Sequence, residues 1–357
     1  MNMDIKRVAF SVTSLKTNQY ITLLCDALQK EGVSVSKISW WDVVLKRVQV
    51  VHIHWPEHFL RDLRKPADIK LLLVFLLTLL AARALKTPVI WTVHNTSPHD
   101  SKAGPKTLRR FFSLWAQLVN ACIYMSPSTR VETEIQHRNV KNKPYAVIPH
   151  GHYRDVIPAT LTRAQAREQL GIDSHAIVLS QCGIIKAYKN TLTLTEFFST
   201  LPDPRLRLVI AGKCGDAHLA ERLTQQARND SRILFLNRRL PDSEMAAITF
   251  ASDLIALPYT EVANSGVALY ALSANRPVLG PSQGAFRDLQ AQFPDWFFLY
   301  DGDFHQPHLQ QALAWLGARD PAEHLDLSEL DWRNIAARTK EFYLDQYRRL
   351  RSPVSQP

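Results

Sequence analysis

At 357 residues the chain is too long for one ordinary domain, and its 46% hydrophobic and 21% charged residues exclude a disordered protein and predict two domains with real cores. The formal net charge of +10 calls for an acidic partner. No zinc-finger, RRM or homeodomain pattern accompanies that charge, which argues against nucleic acid and leaves anionic lipid and phosphorylated or uronic-acid substrates. Cys25, Cys122, Cys182 and Cys214 form no CxxC pair, so a zinc site is not expected and reduced, buried thiols are. The opening MNMDIKRVAFSV shows no signal peptide.

In chain order, RVAFSV reads as a strand, NQYITLLCDALQKEG as a helix, and VSVSKIS and VQVVHIHW as the next strands. IKLLLVFLLTLLAARALK follows, with an apolar core from Leu71 to Ala82 flanked by Arg61, Arg64, Lys65, Lys70, Arg83 and Lys86. A spanning helix needs ~20 apolar residues, so this one is either buried in an α/β layer or dips into one leaflet with its basic flanks on the headgroups. PVIWTVHN is a strand, KTLRRFFSLWAQLV a second basic-flanked apolar helix, and ACIYMS and YAVIPH complete the strands of the first half. Beyond them come AIVLSQCG, LRLVIAG, RILFLN, the helix SEMAAITFAS, and the strands DLIALPY, RPVLGP and WFFLY. The last helix, DWRNIAARTKEFYLDQYRRL, places Trp332, Ile335, Ala336, Phe342, Tyr343, Tyr347 and Leu350 at helix-like spacing, with gaps.

Val-, Ile- and Leu-rich strands alternating with helices predict parallel sheets covered on both faces, here two tandem Rossmann-like domains. The expected bounds are 1–157 and 158–330, with residues 331–350 as a helix packing back on the first domain. Ligands of such sheets lie beyond the carboxyl ends of the strands. There the sequence places HIHWPEHF, HNTSPHD and HGHYRD in the first half, and GIIKAYKN, GKCGD and PYTEVANSG in the second. No GxGxxG follows the first strand, which argues against a dinucleotide enzyme. The turn before VALYALS has two readings: Ser265 as an ordinary N-cap, or the amides of Ser265, Gly266 and Val267 as an anion site.

The pieces VHIHWPEHFL, VIWTVHNTSPHD, IPHGHYRD, GIIKAYKN, LPYTEVANSG and ALSANRPVLGP resemble the GT-B glycosyltransferases. More narrowly they resemble the β-mannosyltransferases of xanthan-type exopolysaccharide assembly, over nearly the whole chain. The resemblance implies an α/β GT-B fold with an inter-domain cleft. It also implies inverting transfer of mannose from GDP-mannose to a glucuronic-acid-ended, polyprenyl-diphosphate-linked oligosaccharide, at the inner face of the cytoplasmic membrane. No cofactor or metal is expected.

In that light Lys186 and Lys189 would pair with the donor diphosphate, helped by the helix start at Asn264, Ser265 and Gly266, where glycine permits close approach. Tyr259 and Glu261 complete the expected donor set. Ile184 stands where the broad family has Arg, with Lys186 as its substitute. Tyr270 stands where the family has a second glutamate. An inverting transfer needs a base on the acceptor side, and Glu57, His94 and Asp100 are the candidates. His54, Trp55, His150, His152 and Tyr153 are expected to line the acceptor or cleft. The alternatives are a UDP-sugar donor on the same fold, or a non-catalytic basic membrane-surface protein with a GT-B shell.

Overall fold

The computed structural model describes residues 4–12, 19–60, 62, 64–94, 104–158, 161–262, 265–320 and 323–352. The chain divides into two units, residues 1–151 with 328–357, and residues 152–327.

The first unit runs β1 (Arg7–Phe10), α1 (Gln19–Lys30), β2 (Ser34–Lys37), α2 (Trp40–Val44), β3 (Val50–His54) and α3 (Pro66–Ala84). It continues through β4 (Val89–Val93), α4 (Pro105–Leu118), β5 (Ala121–Tyr124), α5 (Pro127–Gln136) and β6 (Tyr145–Val147). All six strands are parallel, in the order β2-β1-β3-β4-β5-β6. Every residue of β3, β4 and β5 is buried, as covering on both faces requires. The order reverses at β1, which makes the carboxyl ends of β1 and β3 the place for a ligand.

In the second unit come α6 (Arg163–Gln169), β7 (Ile177–Cys182), α7 (Thr191–Ser199), β8 (Leu206–Ala211), α8 (Ala217–Asn229) and β9 (Ile233–Leu236). Then follow α9 (Asp242–Ala251), β10 (Leu254–Ala256), α10 (Gly266–Ser273), β11 (Val278–Pro281), α11 (Gly284–Gln292), β12 (Phe297–Tyr300) and α12 (Gln306–Gly317). Its parallel sheet has the order β12-β11-β10-β7-β8-β9, the doubly wound arrangement with its switch point between β7 and β10.

The last helix, α13 (Trp332–Arg349), belongs to the first unit. Its Trp332, Ile335, Ala336, Tyr343 and Tyr347 share a core with Phe10 of β1 and Leu24 and Leu28 of α1. The chain leaves the first unit after Gly151, earlier than the boundary expected after Ile157. Hydrogen bonds explain the difference. The Tyr153 amide donates to Ser273 Oγ at 2.8 Å, and the Arg154 guanidinium donates to Asn275 Oδ1 at 2.8 Å and the Leu325 carbonyl at 2.6 Å. These partners all lie in the second unit, so residues 152–158 fold with it.

Helix α3 buries one side and exposes the other. Phe75, Leu79 and Ala82 are buried in the core, while Ile69, Leu73, Val74, Leu77 and Leu80 are exposed. No helix among the described residues is long and apolar enough to cross a membrane.

Candidate active site

In the second unit, the carboxyl end of β7 turns at Gly183, whose φ of +101° lies in the left-handed half that suits glycine. A Cβ there would meet the Lys189 amino group at 3.2 Å and the Val267 side chain at 3.9 Å. The lysine and the start of α10 therefore converge on one spot beside the switch point. Lys189 is only 5% exposed. Its amino group sits 5.7 Å from the centre of the Tyr259 ring, and among the described residues no carboxylate pairs with it. Burial, with a smaller push from Lys186, lowers its pKa from 10.5 to about 8.

The loop that carries Lys189 is pinned from both sides. Gln181 Nε2 donates to the Lys189 carbonyl at 3.0 Å, and Thr191 Oγ1 donates to Gln181 Oε1 at 2.6 Å. The Thr260 amide donates to the Tyr188 carbonyl at 2.8 Å, which ties the loop after β10 to the loop after β7. Tyr188 and Tyr259 meet edge to face at 5.5 Å. Among the described residues the buried Tyr259 hydroxyl has no hydrogen-bond partner.

Of the two readings of the turn at Ser265, the structure shows the N-cap. Ser265 Oγ accepts from the Ala268 amide at 3.2 Å, an ordinary N-cap. The amides of Gly266 and Val267 precede the first intrahelical bond and keep the donor capacity of a helix N-terminus. A Cβ on Gly266 would lie 3.2 Å from the Tyr153 hydroxyl, so glycine is what lets that tyrosine approach the helix start. Tyr153 also packs near Tyr270, with ring centres 5.8 Å apart. His152 is buried and accepts at Nδ1 from the Arg154 amide. Lys186 is half-buried, whereas Glu261 and Ile184 are exposed. Asn264 lies outside the described residues.

In the first unit, the ends of β3 and β4 hold a buried histidine network. His52 Nδ1 lies 2.5 Å from the Tyr343 hydroxyl and its Nε2 lies 2.6 Å from Thr92 Oγ1. His54 Nδ1 lies 2.9 Å from His94 Nε2. Positions 52 and 54 alternate with Ile53 and so share one face of the sheet. Ser11 Oγ donates to the His54 carbonyl and accepts from its amide, both at 2.8 Å.

Trp55 takes a left-handed conformation, φ 45°, and stacks on His94 at 3.8 Å. His150 packs near Tyr20 at 4.7 Å and contacts the Gly151 carbonyl through Nδ1 at 2.7 Å. Burial drives the pKa of His54 down to about 3 and that of His150 to about 4, and holds His52 and His94 well below 6.5. These imidazoles are therefore neutral. Glu57, in the single turn Pro56–Phe59 that follows Trp55, is pushed the other way, up to about 7, again by burial. Asp100 lies outside the described residues.

In the sequence His52 and Gly183 stand out only as the first residues of the strand-end segments HIHWPEHF and GIIKAYKN, with no role of their own. The role of His52 was not legible, because its partner Tyr343 arrives from the far end of the chain. Among the described residues no group of three or more His, Cys, Asp and Glu side chains is arranged to hold a metal ion.

No family model matches the chain. It is 31% identical over 333 residues to the GDP-mannose:glycolipid 4-β-D-mannosyltransferase of Xanthomonas campestris pv. campestris, a match covering 92% of this chain and 88% of that one. The chain belongs to that β-mannosyltransferase family. The transferase is also 26% identical over 292 residues to the D-inositol 3-phosphate glycosyltransferase of Corynebacterium glutamicum, covering 73% of this chain and 67% of that protein.

Among solved structures, Anabaena HepE in complex with UDP and glucose matches the transferase with a TM-score of 0.63 at 15% identity, covering 97% and 98% of the two chains. The sucrose-phosphate synthase of Thermosynechococcus elongatus matches with a TM-score of 0.65 at 16% identity, covering 97% and 96%. At such identities these neighbours bear on the fold. It is the GT-B arrangement of two doubly wound sheets, and the chain is a glycosyltransferase.

Proposed function

We propose that the enzyme transfers mannose, with inversion and without a metal ion, from GDP-mannose to a lipid-linked acidic oligosaccharide of the exopolysaccharide-precursor type. The observation that carries this reading is the meeting of the Lys189 amino group and the α10 start around Gly183. A departing nucleoside diphosphate gains charge in the transition state, and a desolvated cation with aligned amides stabilises it most strongly where water is excluded. Lys186 adds a second cation to the same loop. Tyr259 and Tyr153 wall the diphosphate, and Glu261 stands at the outer edge of the donor set with Asn264, Ser265 and Gly266. The name of the Xanthomonas relative supports guanine and mannose over a UDP-sugar.

The base is Glu57. A carboxylate whose pKa is raised to about 7 holds a proton-accepting form near neutral pH with a real appetite for the proton. His94 is less suited, because burial opposes the imidazolium it would become. In this reading His54 fixes the His94 ring, while Trp55, His150 and His152 shape the sugar sites.

The protein acts as a peripheral enzyme on an anionic membrane face. Ile69, Leu73, Leu77 and Leu80 form one stripe of α3, and Trp41 and Leu45 lie exposed on and just after α2, which packs against it. Lys46, Arg47, Lys70, Arg83 and Lys86 surround this apolar patch in sequence, the arrangement that anionic headgroups attract.

Thermal-shift titration with GDP, UDP and ADP tests the donor assignment. GDP should stabilise the wild type most and lose that effect in Lys189→Ala. Equal stabilisation of both proteins would overturn the donor site. Mannosyl transfer in excess EDTA tests the metal claim, and loss of turnover restored by magnesium or manganese would refute it.

A further inference from the structure

The turn that presents Lys189 is held by one buried side chain. Gln181 lies on β7, two residues before Gly183 and in register with Ile210 of β8. Its amide reaches both residues that flank Asn190. Nε2 donates to the Lys189 carbonyl at 3.0 Å, and Oε1 accepts from Thr191 Oγ1 at 2.6 Å. Gln181 and Thr191 are both buried, where such bonds are strong and their loss is costly.

The chemistry leaves little choice of side chain. A carbonyl can only accept, so the Lys189 carbonyl needs a donor, and the Thr191 hydroxyl then needs an acceptor beside it. A glutamine amide carries both on one planar group. Between these two anchors the chain turns sharply. The Lys189 amide donates to the Lys186 carbonyl and the Asn190 amide to the Ala187 carbonyl, both at 3.0 Å, and Asn190 is left-handed with φ 54°. Asn190 stands as N-cap of α7 with no side-chain cap bond, so the Gln181 bridge is what spans this kink. A lysine is a point charge on a flexible stem, and its amine goes where its backbone root allows. At Gly183 the place is narrow, since a Cβ there would lie 3.2 Å from that amine.

We propose that Gln181, with Thr191, is a positioning residue for the transfer, holding the Lys189 amine where the donor diphosphate binds. This rests on the donor-site reading above and adds to it a residue that acts through Lys189. A misplaced charge stabilises the departing diphosphate poorly, because preorganisation is what makes such a cation effective. Without the bridge the turn is freed, and the amine moves towards water. Its pKa then returns from about 8 towards 10.5, because burial is the main cause that lowered it.

Calorimetric titration of the full chain with GDP between pH 7 and 9 tests this. Wild-type affinity should fall as the pH passes about 8, where Lys189 loses its proton. Gln181→Met should bind GDP about tenfold more weakly at pH 7, with an affinity that stays flat to pH 9. Thr191→Val, the milder variant, should show both changes in the same direction, and Thr191→Ser, which keeps the hydroxyl, should reverse them. In a Lys189→Ala background, adding Gln181→Met should cost no further affinity, whereas a merely structural lesion lowers affinity in both backgrounds. If Gln181→Met and Thr191→Val bind GDP with the wild-type affinity and pH profile while Lys189→Ala loses binding, the positioning role is refuted and the donor site stands. If Lys189→Ala also binds like the wild type, the donor reading fails and the positioning role falls with it.

Discussion

Replacing Lys189 with methionine should make the ligand-free protein more stable and the donor-bound protein much less so. The side chain is 5% exposed, and its pKa falls from 10.5 to about 8 because burial disfavours the cation. At 1.36 kcal/mol per tenfold change in proton affinity, holding that charge costs the folded state about 3 kcal/mol near neutral pH. Methionine keeps the length and apolar stem and removes the charge. A gain of that order would raise the apparent Tm by several degrees, at about 2–4 °C per kcal/mol for a unit of this size.

The pH dependence has a definite sign. Between pH 8 and 10.5 the unfolded chain binds the lysine proton more tightly than the folded one, so wild-type stability rises across that window. The advantage of Lys189→Met is therefore full below pH 8 and fades as the pH approaches 10.5. In the donor complex the ranking reverses, because the diphosphate needs the cation. The assay is denaturant unfolding of both proteins from pH 7 to 10, with and without GDP. If the variant is less stable than the wild type without ligand, and GDP stabilises both equally, then Lys189 is an ordinary structural residue.

Glu57→Gln should lower kcat by about 10²–10⁴ while leaving GDP binding intact, and unchanged kcat would remove Glu57 as the base. In the wild type, kcat/KM should fall as the pH drops through about 7, where Glu57 takes up its proton, and a flat acid limb would contradict this. Tyr343→Phe leaves His52 Nδ1 buried without its partner, which should destabilise the fold by about 1–3 kcal/mol in urea unfolding. No change would mean that the network carries no structural weight. Sedimentation with liposomes should require anionic lipid, weaken with salt, and fall in Leu73→Ser/Leu77→Ser. Wild-type protein left in the supernatant at low salt would place the α3 stripe elsewhere in function.

The strands were legible because parallel sheets buried on both faces demand unbroken runs such as VVHIH and LRLVIA, bounded by turn residues. The carboxyl-end rule pointed at the segments GIIKAYKN and PYTEVANSG, and the resemblance to GT-B enzymes then singled out Lys189 and the Ser265–Gly266 turn. Their convergence was not legible, because it depends on Gly183 leaving room for an amine and a valine from different loops. Helix α3 resisted reading for a different reason. It is apolar all round, so periodicity has no polar face with which to say which side is buried. The domain boundary was misplaced because Tyr153 and Arg154 are claimed by Ser273, Asn275 and Leu325, over a hundred residues away, and local turn chemistry carries no trace of those bonds. Burial likewise set the charge states. The histidines of HIHWPEHF look like polar strand-end residues in sequence, yet enclosure makes His52 and His54 neutral and raises Glu57.

The central claim is mannosyl transfer from GDP-mannose. The purified protein, incubated in EDTA with a glucuronic-acid-ended lipid-linked acceptor and either GDP-mannose or UDP-glucose, should elongate the lipid only with GDP-mannose. NMR of the product should show a β-linked mannose. Elongation from UDP-glucose, or an α-linked product from GDP-mannose, would contradict the account.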